Sequence, residues 1–137
     1  MFEKILLAVD GSEPSNRAVR EAGELARRTE AQVYVLHVKE FDRGRGLGYE
    51  LENFDDATEI VDAALRELKD AGVDTFGEVE RAPYGRAARE ILTRAESEHA
   101  DLIVMGSRGL SDLAGLVLGS VTHKVLHLAQ VPVLVVR

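Results

Sequence analysis

Short apolar runs alternate with longer amphipathic segments along the whole chain. The short runs have the length of buried strands, and the longer segments repeat apolar residues at the three- and four-residue spacing of helices. This alternation predicts an α/β domain in which helices cover a parallel sheet. The five predicted strands are Lys4 to Val9, Gln32 to Val38, Thr75 to Arg81, Asp101 to Met105 and Val131 to Val136. The four predicted helices are Ser15 to Arg28, Phe54 to Ala71, a segment between Gly85 and His99, and Val121 to Ala129.

The order of the strands follows from the handedness of their connections. Right-handed crossovers place the first strand beside the fourth and give a five-stranded, doubly wound, Rossmann-like sheet of order 3-2-1-4-5. Such sheets bind ligands beyond the carboxyl ends of the strands, where the order reverses. The reversal is expected to bring the turn Asp10-Gly11-Ser12 and the residues Met105-Gly106 into one crevice, although they are far apart in the sequence.

Composition limits the class of protein. Of the 137 residues, 45% are hydrophobic and 30% charged, so residues 1–137 are expected to form one globular domain with its own core. The chain has no cysteine, which excludes disulfides and thiolate metal sites and suits a reducing cytosol. No apolar run approaches the ~20 residues that span a bilayer, and Ile5 to Val9 is shorter than the core of a secretion signal. We therefore expect a cytoplasmic protein without a membrane partner.

The charge balance argues against a nucleic-acid partner. The formal net charge is −7 at pH 7, and the sequence pI is about 5.1. Binding to a phosphate backbone requires a basic face, and the chain has no long run of lysine or arginine. The pair Arg27-Arg28 instead fits the end of a helix, where positive side chains offset the helix dipole.

Small residues and hydroxyls cluster where the fourth predicted strand leads into the last helix. Gly106 and Gly109 follow that strand, and after nine further residues Gly119 precedes Ser120 and Thr122. Glycine allows positive φ angles and a close approach of the backbone to a ligand. The hydroxyls lie near the first turn of the helix, where N–H groups and the positive end of the dipole favour an anion. The pattern predicts a bound phosphate, and hence a nucleotide, although Gly106 and Gly109 alone are equally typical of a flexible turn.

The spacing G-x2-G-x9-G-[S/T] resembles the nucleotide-binding signature of the universal stress protein family. The resemblance covers the whole chain, through the opening Ile5-Leu6-Leu7-Ala8-Val9-Asp10-Gly11-Ser12, the strand end His37-Val38 and the closing run Val131 to Val136. It implies binding of ATP, or of another adenine nucleotide, together with Mg²⁺. The residues that it assigns to the nucleotide are Ala8, Val9, Asp10, Gly11, Ser12, Val38, Met105, Gly106, Ser107, Arg108, Gly109, Gly119, Ser120, Val121 and Thr122.

Asp10 and Arg108 each have two interpretations. In ATP-binding members of the resembling family the aspartate that matches Asp10 lies by the ribose and the metal–phosphate region, which implies an indirect role in holding Mg²⁺. A carboxylate beside a polyphosphate is repulsive unless a cation or a sugar hydroxyl lies between them. The alternative is that Asp10 only tethers the turn through its own backbone, as aspartate often does before glycine. Arg108 either neutralises a terminal phosphate or points into solvent.

Other candidate motifs are better explained structurally. Gly44-Arg45-Gly46-Leu47-Gly48 lacks the spacing of a dinucleotide fingerprint and does not open a helix, so it is interpreted as a lid or linker. His123 and His127 are four residues apart, as metal ligands often are, but no third ligand accompanies them. His37 either faces the crevice or is a hydrogen-bonded histidine within the sheet. The sequence contains neither a Walker A motif nor a G-x-S-x-G motif.

Three functions are compatible with these features. The first is an ATP-binding regulatory or sensing module of the stress response, because binding residues are abundant and no catalytic residue is evident. The second is a slow Mg²⁺-dependent ATPase in which Arg108 or Ser120 stabilises charge on the transferring group. The third is a dimeric interaction protein that does not bind nucleotide. The resemblance also implies a homodimer paired through Val131 to Val136, whose apolar edge would otherwise favour aggregation.

Overall fold

The computed structural model describes residues 2–42, 54–109 and 117–137, together with the backbone of residues 49–50. Within these residues the chain forms six strands and four helices. The strands are β1 (Lys4–Ala8), β2 (Gln32–Asp42), β3 (Tyr49–Glu50), β4 (Thr75–Pro83), β5 (Leu102–Gly106) and β6 (Val133–Val136). The helices are α1 (Glu13–Thr29), α2 (Phe54–Asp70), α3 (Ala87–Ser97) and α4 (Ser120–Leu128).

Five of the strands form a parallel sheet of order β4-β2-β1-β5-β6, with β3 added antiparallel at the end of β2. This is the predicted order 3-2-1-4-5 with four helices, so the predicted fold class is confirmed. At the end of the central strand, Ala8 is in register with Leu36 on one side and Met105 on the other. The strand order therefore reverses beside β1, as the sequence predicted.

Strand β4 ends at Pro83 rather than Arg81, and β6 begins at Val133 rather than Val131. Strand β2 and helix α1 also extend beyond their predicted bounds, each for a physical reason. Strand β2 continues to Asp42 rather than ending at Val38, because its charged final residues pair with β4 and β3. Helix α1 begins two residues before the predicted Ser15. The Ser12 side chain accepts a hydrogen bond from the Ser15 N–H at 3.3 Å, and Pro14 suits the first turn of a helix.

The core consists of two apolar layers, one on each face of the sheet. Helices α1 and α2 cover one face, and α3 and α4 cover the other. Strand β1 is buried on both faces because Ile5 and Leu7 pack towards α1 and α2, whereas Leu6 packs towards α3 and α4. A strand with this environment is expected to be apolar throughout. None of the described helices is long and apolar enough to cross a bilayer.

A polar network attaches α3 to the sheet. Arg94 of α3 donates to the Tyr34 hydroxyl at 3.2 Å and to Glu80 at 2.6 Å, and it also pairs with Glu78. The Tyr34 hydroxyl donates to Glu78. Burial, followed by this hydrogen bond, raises the pKa of Tyr34 above its usual range, so the phenol stays neutral. The network fixes the position of α3, whose first turns border a cavity.

Candidate functional site

A cavity of about 690 Å³ lies beyond the carboxyl ends of β1, β2 and β5, between the first turns of α3 and α4. It occupies the place where the strand order reverses, as expected for this class of sheet. Most of the predicted site residues line it: Ala8, Val9, Asp10, Val38, Met105, Gly106, Arg108, Gly109, Ser120, Val121 and Thr122. The two distant segments of the predicted crevice are also joined directly, since the Ser12 hydroxyl donates to the Arg108 carbonyl oxygen at 3.2 Å.

Four predicted site residues lie outside the lining of this cavity. Ser12 and Ser107 are buried and support the two loops. The Ser107 carbonyl oxygen accepts the Gly119 N–H at 2.7 Å, which holds Gly119 at the start of α4. Gly11 borders a different cavity, of about 250 Å³, between α1 and α2. These residues shape the site without lining it.

The turn after β1 is held by its own side chains. One carboxylate oxygen of Asp10 accepts the Ser12 N–H at 3.0 Å, and the Asp10 N–H donates to the Ser15 hydroxyl at 3.0 Å. Gly11 between them has a φ of 82°, which suits glycine. The tethering interpretation of Asp10 therefore describes the structure. Because Asp10 also lines the cavity, its ligand-binding interpretation stays compatible with the same geometry.

The glycines of the signature, Gly106, Gly109 and Gly119, are not needed for positive φ. Among the described residues the glycines with positive φ are Gly11, Gly72 and Gly85, so the signature glycines do not use this freedom. At Gly106 the requirement is close packing, because an added β-carbon would lie 2.7 Å from the Ser15 nitrogen. It would also lie 2.8 Å from the carbonyl carbon of Pro14. Gly106 thus allows the first turn of α1 to approach β5.

One hydroxyl of the signature is used within the protein. The Thr122 hydroxyl is buried and donates to the Gly106 carbonyl oxygen at 2.8 Å. In this structure the hydroxyl is therefore engaged within the protein, and its role as a donor to an anion stays a prediction. The hydroxyl joins α4 to the end of β5, a contact between residues that are sixteen positions apart. Ser120, which is exposed, retains a hydroxyl at the helix start.

The α4 end of the cavity suits an anion. The N–H groups in the first turn of a helix have no acceptor within that helix, and Gly119 at the N-cap provides no side chain for them. Arg108 and Lys124 line the cavity at this end. Lys124 was missed by the sequence reasoning, although its position four residues after Ser120 places both on one face of the helix. The helix dipole and two cations thus act at the same end.

The opposite end of the cavity is formed by β2 and the turn before α3. A Glu40 carboxylate oxygen accepts the Gly85 N–H at 2.6 Å, which ties this turn to β2. Tyr84 lines the cavity with 72% of its surface exposed, so its ring is available for contact with a planar group. Neither Glu40 nor Tyr84 was predicted as a site residue. Tyr84 had a detectable signal as an aromatic residue in the turn Pro83-Tyr84-Gly85 that precedes a helix.

The pairing between β1 and β2 stops where the cavity begins. The Val9 N–H donates to the Leu36 carbonyl oxygen at 2.9 Å. In a regular parallel ladder the next hydrogen bond would join the Val38 N–H to the Val9 carbonyl oxygen. No such bond is present in the part of the chain that the structure describes. Because alternate residues of a strand direct their backbone groups to the same side, the Val38 backbone faces the cavity beyond the end of β1.

Two further predictions concern residues away from the cavity. His123 and His127 are exposed on α4, and the described residues contain no group of three side chains able to hold a metal ion. Residues Gly44 to Gly48 lie outside the described residues, so the lid or linker interpretation stays a prediction.

His37 is buried, lines the cavity and bonds to the Val9 carbonyl oxygen, so it meets both of its interpretations.

Comparisons with known proteins agree with the sequence resemblance. The model of the Universal stress protein family matches residues 1–137. Universal stress protein YxiE of Bacillus subtilis is 37% identical over 153 aligned residues, which cover 100% of both chains. The solved structure of MJ0577, from Methanocaldococcus jannaschii, is 28% identical with a TM-score of 0.81, over 99% of this chain and 96% of that chain. A universal stress protein in complex with cAMP is 28% identical with a TM-score of 0.73, over 99% of this chain and 97% of that chain.

Proposed function

The chain belongs to the universal stress protein family, and we propose that it is an ATP-binding regulatory module of the stress response. The observation that carries this proposal is the polarity of the cavity. One end has an exposed aromatic ring and the backbone edge of Val38, and the other has a helix N-terminus, Arg108 and Lys124. A nucleotide has the same polarity, since its base is planar and its phosphates are anionic.

The polarity of the cavity also defines an orientation for the ligand. The base lies against Tyr84 and Val38, and its ring edge meets the backbone groups of Val38. The ribose lies over β1 near Asp10, and the phosphates lie at the first turn of α4. The solved complex of a related universal stress protein with cAMP supports an adenine nucleotide as the ligand class. A cavity of about 690 Å³ is within the usual range for a site of this kind.

The available donors fit Mg²⁺ only when phosphates share in its binding. Mg²⁺ in nucleotide sites is commonly held by one or two carboxylates, by phosphate oxygens and by water. Asp10 is the carboxylate next to the predicted ribose and phosphate positions, and one of its oxygens is already bonded to the Ser12 N–H. When bound, Mg²⁺ would neutralise phosphate charge next to the Asp10 carboxylate.

Replacing Asp10 with asparagine is expected to weaken binding of Mg-ATP about 10-fold, or ~1.4 kcal/mol. Asparagine keeps an oxygen for the Ser12 N–H but removes the negative charge, so the turn should persist. In excess EDTA the same change should leave ATP affinity unchanged or increase it, because a repulsive charge is lost. Calorimetric titration with and without Mg²⁺ measures both values. An equal loss in both conditions would assign Asp10 to the ribose instead of the metal.

A slow Mg²⁺-dependent ATPase is the second candidate, favoured by Arg108 at the end of the cavity that suits an anion. An arginine there can stabilise charge on a transferring phosphoryl group. Multiple turnovers of ATP with Mg²⁺ would support the ATPase, whereas ATP that stays bound through purification would support the regulatory module. A protein whose thermal stability does not respond to any nucleotide would favour an interaction protein that does not bind one. We propose a cytoplasmic location for either function, because a chain without cysteine is compatible with a reducing compartment.

We propose further that the protein is a homodimer paired through β6. In the described sheet β6 pairs with β5 on one side and is the last strand on the other. The strand is apolar, and 38% of Leu134 is exposed. An apolar edge of this kind is a hazard unless it is covered. The family resemblance supports a second copy of the chain as the cover.

Replacing Leu134 with lysine is expected to convert the dimer to a monomer, because charge on an edge strand opposes pairing. Light scattering on the wild-type protein and the variant measures the change in mass. Phe54→Lys is the matched control, since Phe54 is also exposed but lies on α2, away from β6. A wild-type monomer, or a dimer that survives the Leu134 change, would refute pairing through β6.

A further inference from the structure

A side chain bonds to the backbone oxygen at which the β1–β2 ladder stops. The Val9 carbonyl oxygen, which a regular ladder would pair with the Val38 N–H, instead lies 2.7 Å from Nδ1 of His37. A carbonyl oxygen can only accept, so Nδ1 carries the proton and donates. His37 is buried with 5% of its surface exposed, and it lines the cavity. The bond is therefore a fixed feature of the cavity wall rather than a surface contact.

We propose that His37 is a positioning residue that keeps the Val38 backbone N–H available to the ligand's base. By bonding to the Val9 carbonyl oxygen, the imidazole competes with the Val38 N–H for that acceptor and satisfies it without the ladder bond. The two strands then part at this point instead of continuing to pair. This inference rests on the proposed nucleotide site, since it concerns the donor that would meet the base.

The chemistry of the pair explains why a side chain is needed. A buried carbonyl oxygen without a donor is costly, so the Val9 oxygen requires a partner whether or not a ligand is bound. If His37 did not donate, the Val38 N–H is the backbone donor that the register of β1 and β2 assigns to the Val9 oxygen. The β1–β2 ladder would then gain the bond from the Val38 N–H to the Val9 oxygen, and the base of the ligand would lose the Val38 N–H as a donor.

Two amide variants separate the position of the donor from its presence. In His37→Asn the side-chain nitrogen takes the place of Nδ1, so the bond to the Val9 oxygen should persist. In His37→Gln the nitrogen takes the place of Nε2, so that bond should be lost. Both variants have the same polar group at the same buried position. Amide hydrogen exchange of Val38, measured by NMR without ligand, and titrations with ATP and with tripolyphosphate provide the readouts.

The wild-type protein and His37→Asn should show rapid exchange of the Val38 amide, which slows when ATP binds. His37→Gln should show slowed exchange without ATP and about 2- to 13-fold weaker ATP binding, the value of one hydrogen bond. Tripolyphosphate affinity should be equal in all three proteins, because it does not use the base end. If His37 had only a structural role, its substitution would change the affinities for ATP and for tripolyphosphate by the same factor.

Unchanged Val38 exchange and ATP affinity in His37→Gln would overturn the inference, as would equal losses in both variants. If both variants fail to fold, wild-type NMR decides through the scalar coupling across the bond from His37 Nδ1 to the Val9 carbonyl. If that coupling is present and the Val38 amide exchanges rapidly, the proposed role of His37 is supported. If the coupling is absent, the proposed role is wrong. A wild-type protein that ignores ATP but shows the predicted exchange pattern would retain the role of His37 and refute the proposed nucleotide site.

Discussion

Replacing Gly106 with alanine is expected to lower the free energy of unfolding by about 3 kcal/mol, near the upper end of overpacking costs. The new β-carbon would lie 2.7 Å from the Ser15 nitrogen and 2.8 Å from the Pro14 carbonyl carbon. Both atoms are backbone atoms at the start of α1, so no flexible side chain can move aside. Helix α1 or strand β5 would have to shift, and both are packed into the core. Urea denaturation measures the loss.

Gly72→Ala is the matched control for this effect. Gly72 has a φ of 80° but nothing within 4 Å of an added β-carbon. Alanine there should cost about 1 kcal/mol, from the left-handed conformation alone. A loss at Gly106 no larger than the loss at Gly72 would contradict the account of Gly106 as a site of close packing.

Replacing Gly109 with valine is expected to weaken ATP binding ~100-fold or more while the fold persists. Gly109 lines the cavity together with the first-turn residues of α4, and it is not among the glycines with positive φ, so a side chain there does not require a left-handed backbone. The added methyl groups would occupy the space proposed for phosphates, and losing two charge-assisted hydrogen bonds accounts for a factor of this size. Calorimetric titration with ATP measures the change.

Adenosine provides the internal control for the Gly109 variant. It has the base and the ribose but no phosphate, so its affinity should be similar in the wild-type protein and in Gly109→Val. Thermal unfolding of both proteins without ligand shows whether the fold is retained. If Gly109→Val binds ATP with wild-type affinity, the proposed position of the phosphates at this end of the cavity is wrong.

The sequence predicts an element well where the burial of each residue is visible in its side-chain type. Strand β1 is buried on both faces, so every residue from Ile5 to Ala8 is apolar. The end of β2 gave no such signal, because Lys39, Glu40 and Asp42 are charged. That segment is a strand because it pairs with β3 and with β4, of which β4 is distant in the sequence. The side-chain pattern of a segment does not report such pairing.

The candidate site was predictable in its place and less so in its chemistry. Glycine and hydroxyl spacing correctly located the loop after β5, but it did not distinguish a ligand contact from an internal one. The Thr122 hydroxyl, for example, bonds to Gly106. Val38 was assigned to the site only through the family resemblance, because the polar groups of its edge belong to the backbone and residue type does not report them. Lys124 and Tyr84 join the cavity only after helices α4 and α3 are placed on the sheet.

The most direct test of the central claim is to denature freshly purified protein, identify the small molecules released, and titrate the stripped protein with Mg-ATP by calorimetry. The account predicts that adenine nucleotide is released or that Mg-ATP binds at one site per chain, with binding lost in Gly109→Val. A protein that releases no nucleotide and gives no heat with Mg-ATP would contradict it. The cavity would then be a structural consequence of the fold, and the interaction-protein function would take its place.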